Sequence, residues 1–219
     1  MNVVLLLPVG WAVVGAAAGW FMRWGSVRLA RLEELEPGSK IWQVYGPPIL
    51  CALLFGLFAT ETISFPLLAL RSVFVVVLVQ VIFFDFEHRL ILDRVMFPSM
   101  AVALLASLSG DPWFSGHDWW HGIATGVVAG LLFLLLALVG SAIFKAEALG
   151  FGDVKLAVFM GLLLGPLPTI QALFYGVVLA GVVSIGYIIW QRSLKGSIAY
   201  GPYLSAGALI VLFQLGRGQ

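Results

Sequence analysis

The sequence predicts an all-α polytopic membrane protein with about eight transmembrane helices, both termini outside and short cytoplasmic loops. Of its 219 residues, 61% are hydrophobic and only 11% are charged, and the mean hydropathy is +1.05. A soluble domain of this size does not tolerate such a composition. Apolar windows recur along the whole chain, and no stretch between them is polar enough for a soluble domain. Residues 1–219 are therefore expected to form a single transmembrane domain.

The apolar windows define the elements in order. They lie at roughly 3–22, 46–60, 67–84, 95–109, 123–144, 154–166, 169–190 and 200–215. Several are shorter than the roughly 20 residues that a helix perpendicular to the bilayer needs, so their bounds are soft. Gly15 and Gly19 lie four residues apart in the first window, which favours close packing of that face against another helix.

The basic residues follow the predicted topology. If the N-terminus is outside, ten of the twelve Lys and Arg residues fall in cytoplasmic connections, and only Arg71 and Arg217 do not. This distribution obeys the positive-inside rule, and it requires the sixth window to cross. The first cytoplasmic connection, residues 23–45, is the longest polar stretch. Its first half can continue the first helix as far as Pro37.

Metal and nucleic-acid binding receive little support from the sequence. Cys51 is the only cysteine, so an intrachain disulfide or a four-ligand zinc site cannot form. His117 and His121 are four residues apart with Asp118 between them, which makes a metal clip conceivable, but the aromatic loop around them is typical of a membrane interface. A net charge of +1 gives no indication of a nucleic-acid partner.

The functional hypothesis rests on two acids. Asp153 stands in the glycine-flanked segment 150–156, GFGDVKL, at the start of the sixth window, and Asp85 directly follows the third window. The third window ends and the sixth begins on the cytoplasmic side, so both acids are expected at the same membrane edge. An acid at such a depth costs at least about 2.5 kcal/mol and therefore indicates a functional site. Gly150 and Gly152 leave room for another backbone, such as an unfolded peptide, beside Asp153.

Two carboxylates held close together share a proton and titrate as a pair. One can then activate a water molecule while the other donates to a scissile carbonyl oxygen. Structural alternatives remain open: Asp85 or Asp93 can cap a helix or pair with a neighbouring arginine, and Asp153 can be the N-cap of the sixth helix with Lys155 facing the headgroups. A small carrier that binds protons or cations at the two acids is a further alternative, although carriers hold such acids near mid-membrane.

At these residues the sequence resembles the type IV prepilin peptidases, which are membrane aspartyl proteases with a GxGD motif. Segment 150–156 is similar to the family's GxGDxKL motif, and segment 147–149, EAL, is similar to its usual lead-in. Segment 200–208, YGPYLSAGA, resembles the family's FGPxLxxG segment.

Segment 85–93 resembles the family's first aspartate motif. Glu87 follows Asp85 by two residues and Asp93 follows it by eight, but Leu92 stands where the family has a proline. The resemblance implies an eight-span peptidase domain over residues 1–219. In that domain Asp85 and Asp153 would be the catalytic pair, and the residues that position the substrate or complete the motifs would be Gly150, Gly152, Lys155, Glu87 and Asp93.

The resemblance also implies a substrate and a location. The substrates would be prepilins or pseudopilins of type IV pilus or type II secretion systems, and their basic leader would be cleaved after a glycine. Cleavage would occur on the cytoplasmic side of the prokaryotic inner membrane. The expected partners are these substrates and the lipid bilayer, with no nucleic acid, and the oligomeric state stays open. A GxGD protease acting on other membrane proteins is the alternative enzyme.

Many members of the family carry a cytoplasmic insert after the first span, in which two CxxC pairs can bind zinc. They also methylate the new N-terminus with S-adenosylmethionine. This chain has only the connection 23–45 at that place and no such cysteines, so no zinc is expected. The peptidase activity is expected to need no cofactor, and a methyl transfer that uses S-adenosylmethionine is left open.

Overall fold

The computed structural model describes residues 3–61, 64–108, 119–144, 149–191 and 199–217. These residues form eight α-helices and no strand, and each helix overlaps one predicted window. The helices are α1 (Val3–Leu32), α2 (Ile41–Glu61), α3 (Phe65–His88), α4 (Asp93–Leu108), α5 (Trp119–Phe144), α6 (Phe151–Leu164), α7 (Pro166–Gln191) and α8 (Gly201–Arg217). The prediction of an all-α fold is confirmed.

Most of the helices are suited to a bilayer. Five of them, α1, α2, α3, α5 and α7, are long and apolar enough to cross a membrane, and α8 is a shorter apolar helix. The chain is therefore a polytopic helical membrane protein. α6 has only 14 residues and is about 21 Å long at 1.5 Å per residue, less than the roughly 30 Å of a hydrocarbon core. That all eight helices cross, with both termini outside, stays a prediction.

The chain divides into two compact units, which are residues 1–89 with 212–219 and residues 90–211. The single domain expected over residues 1–219 stays a prediction. In the first unit, α1 and α2 pack on each other and both contact α3. The centre of α3 is fully buried, at Phe74, Val75, Leu78 and Val79. Arg71, which falls outside the charge pattern, is also buried in α3, so it is a core residue.

The close packing predicted for Gly15 and Gly19 is confirmed within the first unit. A Cβ atom at Gly15 would lie 2.6 Å from the carbonyl oxygen of Cys51, and one at Gly19 would lie 2.6 Å from Cα of Pro48. Real Cβ atoms do not approach other atoms so closely. Only glycine therefore lets α1 and α2 lie at this distance.

α1 continues past its predicted window and ends at Leu32. Its end is a Schellman motif, in which the Leu35 N–H donates to the carbonyl of Ala30 (2.8 Å) and the Glu34 N–H donates to that of Arg31 (3.3 Å). Glu34 has a φ of 57°, the left-handed conformation that glycine usually occupies at this place. This turn ends the helix earlier than the sequence suggested.

In the second unit the buried helix is α6, which contacts α4, α5 and α7. Its fully buried side chains are Leu156, Ala157, Phe159, Met160 and Leu164. α5 approaches α6 through glycines: a Cβ atom at Gly161 of α6 would lie 2.6 Å from Cα of Gly126 in α5. α6 ends at Gly165, whose φ of 74° requires glycine, and Pro166 begins α7. Each unit is thus built around one buried helix, and each of these helices carries one of the two predicted acids.

Candidate active site

Asp85 lies in the last turn of α3 and is buried, with 5% of its surface exposed. Its carbonyl accepts a hydrogen bond from the Arg89 N–H (2.9 Å). Arg89 is left-handed, with a φ of 53°, and ends the helix. The chain therefore leaves α3 within one turn of the acid. Asp85 is in the C-terminal turn, so it does not cap the start of a helix.

Glu87, two residues after Asp85, is held by an arginine. Nη1 of Arg23 donates to both carboxylate oxygens of Glu87, at 2.9 and 3.1 Å. The Glu87 side chain is 2% exposed and that of Arg23 is 10% exposed, so the pair is buried. Nε2 of His88 lies 3.5 Å from the second oxygen of Glu87. Glu87, which the sequence associated with substrate positioning, thus contacts α1 of its own chain.

Asp153 lies in the first turn of α6, one residue before the predicted sixth window, and is 8% exposed. The helix N-cap is Gly150, so the alternative that Asp153 is the N-cap is wrong. Asp153 is instead the third helical residue, where its Oδ2 accepts a hydrogen bond from the Gly150 N–H (3.3 Å). This is one half of a capping box, because glycine has no side chain to return the bond.

Two effects act on the Asp153 carboxyl in opposite directions. Burial removes water from the charged form and raises its pKa to about 6, from a usual value of 3.8. The hydrogen bond from Gly150 acts the other way, because it stabilises the ionised form. Since burial is the larger effect, this acid exchanges its proton close to neutral pH, which suits a general acid or base.

Lys155 and Asp93, both predicted site residues, form an ion pair. Nζ of Lys155 lies 2.5 Å from Oδ1 of Asp93 and 5.1 Å from the centre of the Phe97 ring. Asp93 is the first residue of α4, and Lys155 lies in the second turn of α6. The pair therefore joins the starting turns of the two helices, two residues beyond Asp153. The Asp93 side chain is 56% exposed, so the pair itself adds little stability.

The two motif glycines differ in their surroundings. A Cβ atom at Gly152 would lie 2.8 Å from Cβ of Ile91, which belongs to the loop before α4. At Gly150 the nearest atom would be Oδ2 of Asp153, at the ordinary contact distance of 3.5 Å. Gly152 thus serves internal packing, whereas a second backbone can approach on the open side of Gly150.

Leu92 takes the place of the family's proline without disturbing the start of α4. It is 5% exposed, and its carbonyl accepts the first hydrogen bond of the helix, from the Met96 N–H (2.9 Å). An apolar side chain is suited to this buried position, as proline would be. The connection between α3 and α4 therefore leads into α4 with Asp93 as the first residue of that helix.

The structure brings some of the predicted site residues into contact and places others in different compact units. It pairs Lys155 with Asp93 and packs Gly150 beside Asp153. Asp85 belongs to the first compact unit and Asp153 to the second, and the pairing of these two acids stays a prediction. His117 and Asp118, two of the three residues of the conceivable metal clip with His121, lie outside the described residues, as do Glu147 and Ala148 of the GxGD lead-in.

Sequence reasoning missed two contacts of the site. In the sequence Arg23 is only one of several cytoplasmic basic residues, whereas in the structure it binds Glu87. No pattern in the sequence indicates that Ile91 packs against Gly152. A buried carboxylate needs a cation as its partner, and for Glu87 this need is the one signal that could have indicated Arg23. Several arginines of the chain meet that need equally well.

The comparisons with known proteins concern the segment that contains both acids. The model of the type IV leader peptidase family matches residues 72–185, just over half of the chain. The matched segment contains both acids, the loop that ends at Asp93 and the GFGDVKL segment. No curated protein and no solved structure matches the chain. The chain belongs to the type IV leader peptidase family.

Proposed function

We propose that this protein is an aspartyl endopeptidase that removes the basic leader from prepilin-like or pseudopilin-like substrates. It cleaves after the glycine that ends the leader, at the cytoplasmic face of the prokaryotic inner membrane. Asp85 and Asp153 are its catalytic residues. The apolar helix of the substrate stays in the bilayer while the extended leader reaches the two acids.

One observation carries the proposal. Each of the two acids in the matched segment is buried near one end of the central helix of its unit, at 5% exposure for Asp85 and 8% for Asp153. Buried carboxylates are costly, and they accumulate where proton transfer is needed. Two carboxyl groups can activate water for peptide hydrolysis without a side-chain nucleophile. Cys51 does not supply one, because it lies in α2 within the first unit and is fully buried.

The proposed reaction needs one ionised and one protonated carboxyl group. The ionised group takes a proton from water as the water oxygen attacks the scissile carbonyl carbon, and the protonated group donates its proton to the carbonyl oxygen. The tetrahedral intermediate then collapses, the C–N bond breaks, and a proton passes to the leaving amine. The pKa of about 6 for Asp153 supports such exchange near neutral pH.

The neighbouring residues have supporting roles in this proposal. The Lys155–Asp93 pair holds the N-terminal ends of α6 and α4 together and so limits movement of Asp153. The open side of Gly150 admits the extended substrate backbone. No cofactor takes part in the hydrolysis.

The proposal is tested by cleavage of a prepilin-like substrate with purified protein in detergent. Asp85→Asn and Asp153→Asn keep the shape of the side chain but cannot relay a proton, so each is expected to lower the rate by about 10²-fold or more. Asp93→Asn is the matched control, since this acid is exposed and paired. The cleavage rate of Asp93→Asn is expected to decrease less than about tenfold, because exposed ion pairs contribute about 0–1 kcal/mol.

Mass spectrometry of the product determines the cleaved bond and whether S-adenosylmethionine adds a methyl group. Full activity of either catalytic asparagine variant would contradict the two-acid mechanism. If folded wild type cleaves other membrane proteins but no pilin-like substrate, the protein is a GxGD protease of different specificity. Proton or cation transport by liposomes that contain the protein, without any cleavage, would favour a carrier.

A further inference from the structure

Arg23 joins three parts of the first unit. It lies in α1, one residue past the predicted first window, and only 8% of its surface is exposed. Its Nη1 donates to both oxygens of Glu87 in the last turn of α3. Its Nη2 donates to the carbonyl of Gly38 in the connection between α1 and α2. A single guanidinium therefore holds a helix, a loop and the end of a second helix.

The contact with Glu87 fixes orientation as well as distance. Nη1 of Arg23 donates to both oxygens of Glu87 while Nη2 donates to the carbonyl of Gly38, so the rigid guanidinium fixes the carboxylate relative to the connection between α1 and α2, which the single nitrogen of a lysine cannot do. The pair is buried, so removal of one partner leaves the other charge uncompensated in the interior. Because the last turn of a helix frays most readily and lacks part of its hydrogen bonding, a tie at Glu87 acts where α3 is weakest.

Asp85 lies in that same turn. Two further side-chain contacts between α1 and α3 lie farther from the helix end: Ser26 Oγ donates to Gln80 Oε1 (2.7 Å), and Trp11 Nε1 donates to Ser72 Oγ (2.9 Å). Of these three contacts, the one between Arg23 and Glu87 lies on the C-terminal side of Asp85. α1 lies outside the segment matched by the family, so the comparison assigns no role to Arg23.

We propose that Arg23 is a positioning residue of the peptidase. Through Glu87 it holds the last turn of α3, and with it the Asp85 carboxyl group, in the orientation needed for proton transfer. The same side chain also holds the connection between α1 and α2, through its hydrogen bond to the carbonyl of Gly38. This inference rests on the proposed function for its catalytic part, whereas the fastening of the helix end can be measured without a substrate.

The test compares purified full-length variants in kinetics and in hydrogen–deuterium exchange. Arg23→Gln and Glu87→Gln each remove the charge pair, and Arg23→Lys keeps the charge without the second nitrogen that binds the Gly38 carbonyl. Ser72→Ala is the matched control, because it removes a contact between the same two helices far from Asp85. Thermal unfolding of every variant provides a common measure of overall stability.

We expect both glutamine variants to lower kcat by up to about 10²-fold with little change in KM, because displacement of a catalytic group by about 1 Å has an effect of this size. Arg23→Lys should recover part of kcat. Amides of segment 85–89 should exchange faster in Arg23→Gln, and those of the connection 33–40 should do the same. Ser72→Ala should leave kcat and exchange in both segments close to the wild-type values.

The outcomes separate the two proposals. Wild-type kcat in both glutamine variants overturns the positioning role. It is also overturned if the glutamine variants and Ser72→Ala show the same decrease in kcat at the same decrease in Tm. Unchanged exchange at 85–89 in Arg23→Gln overturns it even if no substrate is cleaved. If the wild-type protein cleaves no pilin-like substrate but exchange changes as expected, the proposed function and the catalytic part of this inference fail together, and the fastening of α3 by Arg23 stands.

Discussion

Replacing Gly161 by alanine tests whether the contact between α5 and α6 sets the position of Asp153. A Cβ atom at Gly161 would lie 2.6 Å from both Cα and N of Gly126 and 2.7 Å from the carbonyl carbon of Thr125. All three are backbone atoms, so no side chain can rotate away. Ordinary contact begins at 3.4 Å, and the two helices must therefore separate by nearly 1 Å at this point.

Two opposing effects determine the size of the change. Overpacking of a well-packed interior costs about 1–3 kcal/mol, and a clash with backbone belongs in the upper part of that range. Alanine in a helix gains up to about 1 kcal/mol over glycine. The net expectation for Gly161→Ala is a decrease of about 1–2 kcal/mol in the free energy of unfolding. Because α6 also carries Asp153, cleavage should slow as well.

Gly181→Ala is the matched control for this variant. Gly181 lies in α7, and a Cβ atom there would meet nothing within 4 Å, so only the gain in helix propensity remains. The measurement is thermal unfolding of both variants in the same detergent, together with the cleavage rate. The reasoning is refuted if Gly161→Ala is as stable as Gly181→Ala, since the helices would then adjust without cost.

Three further predictions concern single residues. Asp153→Asn should be more stable than wild type by up to about 3 kcal/mol above pH 6. Because burial raises the pKa of the Asp153 carboxyl group, its contribution to stability is complete below pH 3.8 and is lost as the pH rises to about 6; unfolding followed across pH measures this. Lys155→Ala should slow cleavage several-fold without abolishing it, because the N-terminal end of α6 then loses its ion pair with Asp93. Glu34→Gly should raise the free energy of unfolding by about 1 kcal/mol in thermal or denaturant unfolding, since glycine adopts the left-handed conformation without strain.

Each of these has an outcome that would contradict it. A stability difference between Asp153→Asn and wild type that is the same at pH 4 and pH 7.5 would show that burial does not affect this carboxyl group as argued. Lys155→Ala as inactive as the aspartate variants would place Lys155 in the chemistry itself. A less stable Glu34→Gly would mean that the glutamate side chain makes contacts worth more than the backbone strain.

The order and number of helices could be predicted from the sequence because apolar windows report directly on burial in lipid. Helix ends were less predictable. The continuation of α1 beyond its apolar window is predicted, but its end at Leu32 is not, because the Schellman turn there has Glu34 in the left-handed conformation and no glycine that would indicate it. At α6, Gly150 takes the N-cap position and moves Asp153 two residues inside the helix, which a search for a polar capping residue cannot anticipate.

The motifs of the candidate site are visible in the sequence, but their contacts are not. The spacing within each motif is local, so Asp85 and Asp153 stand out directly, and their role as the catalytic pair stays a prediction. The partners of Glu87 and Lys155 lie 64 and 62 residues away in the chain. Which arginine reaches which glutamate depends on how the helices pack, and the charge pattern of a single sequence leaves several pairings equally good.

The shortness of α6 has a consequence for how a membrane enzyme obtains its water. Peptide hydrolysis consumes a water molecule, and the interior of a bilayer contains almost none. In the predicted eight-span topology, a helix of about 21 Å does not reach across a hydrocarbon core of about 30 Å, so polar groups and water extend inward at its ends. Asp153 occupies one of those ends. In the proposed enzyme the second reactant therefore reaches Asp153 through the polar edge of the membrane at the start of α6.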